Sequence, residues 1–418
     1  MRIVLGTHSF ANVAGSETYL LTAAEQLQRL GHDVTVHAVE TGPVADLATN
    51  RGIPVAAGED GLPDACDVAL TQDAGMAYAL AERYPAAPQV LVAHSELHDV
   101  QLPPMVPGVQ TAVVVMSERV ARRIEALDAD LPVVRLRQPV DTERFVPVGS
   151  PRERPRRALL LSHYQQEQHR RVLEDAWAPL GIELRIAGAR GTTVLDPFAE
   201  IADADIVVGK GRAILDAMAC GRPAYLYDDF GTDGWVTADT HPAMEADGFA
   251  GQSRPRLADA GLLRRDLEAY DPAMGVVNRE LVLHHHKARN HAHDLVRLFR
   301  SLAPDAAPTS TPDGELARNV RLRWAADREL GHLRAGYGDL HDRVWDAEQR
   351  ADAAQARADA AEGCARDLVA AAQARADAEG RRADAAQDRL DRVLEQRRVR
   401  VGLAAGRAAD RLRRRVRP

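Results

Sequence analysis

Short apolar runs alternate with stretches of helical spacing through the first three hundred residues. Ile3, Val4 and Leu5 read as a first buried strand, and the helix behind it carries Tyr19, Leu20, Ala23, Ala24, Leu27 and Leu30 on one face. Gly31 ends that helix before a second strand at 34–37, while residues 6–17 between strand and helix read as a loop. The runs 68–71, 89–93 and 112–116 are further strands, with helices at 75–83 and 118–127. After residue 157 the alternation resumes: strands at 158–162, 183–187, 206–208 and 224–227, helices at 165–180 and 197–202, and a third with Ala213, Ile214, Ala217 and Met218 at helical spacing ahead of Gly221. A single long helical segment is expected over 278–302. This alternation predicts an α/β chain of two Rossmann-like, doubly wound domains.

The pattern changes twice. Residues 135–157 pass through several prolines and a basic run, which marks an inter-domain connection, and 303–314 is a polar, proline-rich linker. From 346 to 397 the chain is almost entirely Ala, Arg, Asp, Glu and Gln, and Arg350-Ala-Asp-Ala-Ala-Gln-Ala is echoed seven residues later. Seven-residue recurrence with charged flanks predicts a long helix able to form a coiled coil, although a seam of Ala351, Ala354, Ala358, Ala361, Ala365, Leu368 and Ala372 buries little area and would self-associate weakly. The expected organisation is therefore 1–148, a first Rossmann-like domain; 149–302, a second; 303–315, a linker; 316–397, the coiled-coil-like helix; and 398–418, a basic tail. Residues 397–418 hold nine arginines against the single acid Asp410. An anionic membrane surface is the first reading of that tail, with nucleic acid and an inert extension as alternatives.

Composition narrows the class. At 418 residues and a net charge of −8 the chain as a whole has no nucleic-acid-like excess of positive charge, so no nucleic-acid partner is expected. Cys66, Cys220 and Cys364 form neither a disulfide framework nor a CxxC pair, and no run approaches a membrane span. A cytoplasmic protein, peripheral at the inner membrane face through its tail, is expected. The five histidines of 284–293 lack a carboxylate or cysteine to complete a ligand set, so no metal is assigned.

Candidate chemistry concentrates at 204–227. There a strand stops at Gly209, and Lys210, Gly211 and Arg212 lead into a helix that carries Asp216. Glycines let the backbone approach a ligand, a helix start presents unpaired amides, and the two cations add positive charge, so a phosphate is the natural guest. Asp216, one turn in, can accept hydrogen bonds from sugar hydroxyls. Gly15 lies in the turn before the first helix, and His94 follows a strand at the edge where open α/β sheets place ligands. His8 and Glu17 after the first strand, and Asp233 and Trp235 in the glycine-punctuated loop 228–235, are candidates for sugar or acceptor contacts.

Four strings in order, Ala14-Gly15-Ser16-Glu17, Gly31-His32-Asp33-Val34-Thr35-Val36, Val140-Asp141-Thr142-Glu143-Arg144-Phe145 and Asp216-Ala-Met-Ala-Cys-Gly-Arg-Pro, resemble the large family of retaining nucleotide-sugar glycosyltransferases with the GT-B fold. The resemblance covers about 1–302. It implies two Rossmann-like domains facing across a cleft, 1–148 receiving the acceptor and 149–302 holding the nucleotide sugar, with a nucleoside-diphosphate sugar as co-substrate, no further cofactor, and a glycan or glycoconjugate as acceptor. It places Gly15 beneath the donor phosphates, His94 against the transferring sugar as the catalytic residue, and Asp216 on the ribose hydroxyls. The chain departs from the pattern at Val208, where the family carries a sugar-binding glutamate, and at 162–168, where a basic pair is missing. Lys210 and Arg212 are the expected substitutes, His163 and Arg170 weaker ones. Sugar-nucleotide epimerisation on the same fold, and a degenerate transferase acting as an assembly protein, are the alternative functions.

Overall fold

A computed structural model describes the chain apart from residues 97, 128–129, 163–165, 189–193, 230, 303–311 and 416–418, so His163 lies outside the described residues. Two compact units divide it, Met1–Leu322 and Arg323–Pro418.

The first unit contains two sheets. In chain order its opening elements are β1 (Arg2–Phe10), α1 (Gly15–Arg29), β2 (Asp33–Thr41), α2 (Pro43–Asn50), β3 (Val55–Ala56), β4 (Val68–Thr71), α3 (Ala74–Arg83), β5 (Gln89–Ala93), β6 (Ala112–Val115), α4 (Glu118–Glu125) and β7 (Val133–Arg135). The seven strands lie in the order β3-β2-β1-β4-β5-β6-β7 and every pair is parallel. Central strands such as β4, β5 and β6 are buried along their whole length, which is why they appear in sequence as unbroken apolar runs. The chain reverses its winding direction between β1 and β4, so a crevice opens beyond their carboxyl ends.

A second series follows: β8 (Arg157–Leu161), α5 (Glu167–Trp177), β9 (Glu183–Ala187), α6 (Phe198–Asp203), β10 (Ile206–Gly209), α7 (Arg212–Ala219), β11 (Ala224–Asp228), β12 (Gly231–Trp235), α8 (His241–Ala246), α9 (Ala260–Glu268), α10 (Ala273–His285) and α11 (Ala288–Ser301). Its sheet runs β12-β11-β10-β8-β9, parallel except for β12. Here the winding reverses between β8 and β10.

Three expectations need correction. β1 does not stop at Leu5: Thr7, Ser9 and Phe10 pair with Ala38, Glu40 and Thr41 of an equally long β2, because backbone pairing and the buried Phe10 ring outweigh the polar side chains between them. The stretch 228–235 is not an open loop. It folds back as β12 on β11, with Tyr225 opposite Trp235. Nor is 278–302 one helix. His286 caps α10, and the chain then turns extended at Lys287, where Val140 N–H donates to His286 O and Ala288 N–H to Val140 O, at 2.8 and 3.0 Å.

That break has architectural weight. The chain passes from the first sheet to the second near Val140 and returns beside the same residue, since α11 buries Ala292, Leu295, Val296 and Phe299 in the core of the first sheet. Full burial of side chains such as Leu295 and Phe299 stabilises the docking by about 1.5–3 kcal/mol each.

The last helix, α12 (Pro312–Arg415), is continuous over 104 residues, about 156 Å at 1.5 Å per residue. Between 350 and 409 nearly every side chain is exposed, including the alanine seam and Leu368. No helix among the described residues is long and apolar enough to cross a membrane.

Candidate functional site

The carboxyl ends of the two sheets line one cavity of about 360 Å³. From the first sheet come Ala14, Gly15 and Ser16 after β1, His94 and Glu96 after β5, and Ser117 and Arg119 after β6; from the second come Lys210, Gly211, Arg212 and Asp216, with Asp247 and Gly248 after α8. Arg144 arrives on the connector. The lining therefore brings together Gly15, His94, Lys210, Gly211, Arg212 and Asp216 from stretches far apart in sequence.

Two helix starts open onto this space. α1 begins at Gly15 after an extended Ala14, and α7 begins at Arg212 after Gly211; neither has a side-chain cap, so their first amides stay available. No atom stands within 4 Å of where a Cβ would project from either glycine. Gly211 is required by its backbone, which has φ +56° while its N–H donates to Phe249 O at 2.7 Å. Gly209 has another role. A Cβ there would lie 2.7 Å from Leu161 O, so this glycine permits β10 to pack on β8, and it does not line the cavity.

Among the described residues, each predicted cation of the second sheet, Lys210, Arg212 and Arg170, already has a carboxylate. Lys210 Nζ pairs with buried Asp228 at the end of β11. Arg212 Nε donates to Asp216 Oδ1 at 2.7 Å, and its Nη2 reaches across to Thr22 Oγ1 on α1 at 3.3 Å. Burial pushes the Asp216 carboxyl above its ordinary range, with Arg212 and Arg144 opposing. Arg170 is spent on its own helix, paired with Glu167 and Glu174, and does not line the cavity.

His94 stands at the cavity wall with Nε2 2.5 Å from Gln72 Oε1 and its ring edge-on to Tyr19, 5.0 Å between centroids. Burial, and to a lesser degree His291, holds its pKa down at about 3, so the ring is neutral at physiological pH. Tyr19 Oη in turn lies 2.9 Å from His291 Nε2, and His291 Nδ1 lies 2.9 Å from Arg137 O. A carbonyl can only accept, so Nδ1 carries the proton and Nε2 accepts from Tyr19.

The remaining expected contacts lie elsewhere. Asp233 accepts from Ser253 N–H and Oγ and from Arg254 N–H, which ties β12 to the following loop. Trp235 packs on Tyr225 and Tyr270 and donates to Asp266 O at 2.7 Å. Both are buried away from the cavity because antiparallel pairing turns them into the outer core. Exposed His8 sits 3.8 Å from Glu40, and Glu17 accepts from Ser16 Oγ; neither lines the cavity. Val208 is sealed in the core with Trp177 and Tyr225, so an acid at that position could not reach the cleft. Among the described residues no three His, Cys, Asp or Glu are grouped to hold a metal ion.

Two lining features went unread in the sequence. Arg119 lies 3.3 Å from Glu96 and 3.8 Å from Asp247, which joins the two sheets' loops across the cleft. Its place just past a strand's carboxyl end was the available signal. Arg144, 2.6 Å from Asp196, lay within a motif already noted, without any chemistry attached to it.

No family model matches the sequence, and no curated protein matches it. Solved structures do. Anabaena Alr3699/HepE in complex with UDP and glucose superposes with a TM-score of 0.52 at 14% identity, over 72% of this chain and 100% of that one. The same protein with UDP-glucose gives 0.52 at 13% identity over the same shares. Two Rossmann-like domains facing across a cleft, with α11 returned to the first, give this chain the GT-B fold of nucleotide-sugar glycosyltransferases.

Proposed function

We propose that the chain transfers a sugar from a nucleoside-diphosphate sugar to a hydroxyl of a glycan or glycoconjugate. The observation that carries this reading is the convergence of two uncapped helix starts, Gly15 on α1 and Gly211 before α7, on one cavity that also holds His94, Lys210 and Arg212. Its volume suits a small-molecule ligand, and the neighbouring HepE structures were solved with UDP and glucose and with UDP-glucose.

In this reading the diphosphate lies against α7, where Lys210, Arg212 and the helix amides stabilise the charge that grows as the anomeric C–O bond breaks. These groups belong to the chain, so the reaction is read as metal-independent. Asp216 takes the ribose hydroxyls and His94 the transferring sugar. The acceptor hydroxyl forms the new bond at the anomeric carbon, with retention as the family resemblance implies, and its proton leaves with the diphosphate. The basic tail at 397–418 would hold the enzyme at an anionic, cytoplasmic membrane face, and α12 would pair weakly with a second copy.

Calorimetry with UDP and UDP-glucose tests the donor site. Wild type should bind both, and Lys210→Ala with Arg212→Ala should lower affinity at least thirtyfold; unchanged binding sinks the assignment. A second reading, the non-catalytic assembly protein, draws on the burial of Val208 and on the prior pairing of both cations with Asp228 and Asp216. Absence of binding by any nucleoside diphosphate would favour it, and turnover of donor without acceptor to an epimer would favour the epimerase.

A further inference from the structure

Gln72 follows β4 as His94 follows β5, and the two strands are sheet neighbours with Thr71 opposite Leu91. The register puts Gln72 level with Val92 and on the same face as His94, two residues further on, which its side chain reaches. Gln72 is buried, and its backbone N–H donates to Gly6 O at 3.1 Å, which fixes its place in the sheet. Its Oε1 meets His94 Nε2 at 2.5 Å, while its Nε2 has no hydrogen-bond partner among the described residues. Tyr19 closes one side of the His94 ring and is itself held by His291. An imidazole in this setting has little freedom to rotate, and its Nε2 is committed.

We propose that Gln72 is a positioning residue that holds His94 as the neutral Nε2–H tautomer and leaves Nδ1 as an acceptor for a hydroxyl of the bound sugar. An amide oxygen accepts only, so the shared hydrogen must be on the histidine. The remaining nitrogen then has a lone pair and no proton. It cannot donate to a phosphate oxygen, which is itself an acceptor, but it can take a sugar O–H. The basicity of the ring supports the same division of labour: with its pKa held at about 3, His94 accepts a hydrogen bond without removing the proton. The cleft is thereby divided by hydrogen-bond polarity, with donors at Lys210, Arg212 and the first amides of α7 for the diphosphate and an acceptor at His94 for the sugar.

The hydroxyl assignment rests on the transferase reading; the tautomer does not. Full-length protein labelled with ¹⁵N-histidine is examined by two-bond ¹⁵N–¹H correlation, with His94→Gln identifying the resonance. Wild-type His94 should give the Nε2–H pattern from pH 8 to pH 5, and Gln72→Leu, which keeps the bulk, should lose that preference. Gln72→Glu places a carboxylate beside Nε2, so the ring should become doubly protonated at pH 6. UDP-glucose should then bind that variant at least tenfold more weakly at pH 6 than at pH 8.5, relative to wild type, while UDP alone changes by less than twofold. An Nδ1–H pattern in the wild type overturns the proposal, as does identical titration of His94 in Gln72→Glu and wild type. Failure of wild type to bind either nucleotide overturns the transferase reading and the hydroxyl assignment with it, while the tautomer spectra still decide the role of Gln72.

Discussion

His286 and His291 sit where the chain crosses between the two sheets, and acidification should act on the fold through them. Both are buried; His286 donates Nδ1–H to Gln138 O at 2.9 Å and His291 donates to Arg137 O. Desolvation lowers their pKa values to about 3 and about 4, against about 6.5 in an unfolded chain. Between these limits the unfolded chain binds protons that the folded one refuses. The stabilisation is thus complete above pH 6.5, falls as the pH drops, and is exhausted once the folded values are reached. At pH 5 each site costs about 2 kcal/mol, or about 4 kcal/mol together, a large share of the ordinary margin of stability. His94 and His241, which burial lowers to about 3 and about 4, act in the same sense and cost about 2 kcal/mol each at pH 5. Asp216 and Asp247, both raised by burial, act in the opposite sense nearer the carboxylate range, so the useful window is pH 7.5 to 5. Urea unfolding followed by near-ultraviolet circular dichroism at several pH values measures the loss, and His291→Gln, which cannot titrate, should reduce the loss at pH 5 by about 2 kcal/mol. A wild-type midpoint unchanged from pH 7.5 to 5, or a variant as pH-sensitive as wild type, would refute the reasoning.

Trp235→Ala should destabilise the fold by about 3–5 kcal/mol, since it empties the cluster with Tyr225 and Tyr270. Thermal unfolding checks this, and UDP affinity of the folded fraction should stay within twofold, because the ring does not line the cavity. Gly211→Ala should cost about 1–2 kcal/mol from its positive φ and weaken UDP binding by disturbing the start of α7, measured by urea titration and calorimetry. Asp228→Asn should loosen Lys210 and lower UDP affinity severalfold with little change in the affinity for inorganic cations; tighter nucleotide binding would show that the pair competes with the ligand. Anionic vesicles should float the full chain at low salt and release it at 0.5 M salt, and flotation unaffected by salt would remove the electrostatic role of the tail.

The strands buried on both faces were the most legible elements. β4 and β5 begin and end where their apolar runs do, because both neighbours on a parallel sheet demand the same kind of side chain. β12 was opaque. Gly231, Gly234 and Asp233 look like turn residues, and only tertiary contacts make them a strand: Thr232 pairs with Arg256 through two backbone bonds, and Asp233 is saturated by the loop at 253–254. The break at His286 was equally hidden, since helical spacing continues through it and the competing partner, Val140, is remote in sequence. At the site, residue types at helix starts and strand ends were readable from local pattern. Their partners from other elements were not, because Asp228 and Thr22 approach only once the sheets are assembled.

Under the proposed function, the ion pairs of Lys210 and Arg212 bear on how a neutral-looking cleft would receive a diphosphate. Arg212 has five N–H groups in a rigid fork. Its bond to Asp216 uses one and its bond to Thr22 another, which leaves three while fixing the plane of the guanidinium. Lys210 has three N–H groups, of which Asp228 takes one. Neither cation must abandon its carboxylate to meet a phosphate. The carboxylates instead lower the conformational entropy lost on binding, since two long side chains are already ordered at the start of α7. They also keep the empty cleft from holding unpaired buried charge, which would be far more costly than the attraction sacrificed. In the transferase reading Asp216 has two tasks, holding Arg212 through Oδ1 and taking a ribose hydroxyl. An aspartate one turn inside α7 is placed for both, because i,i+4 spacing sets it directly over Arg212.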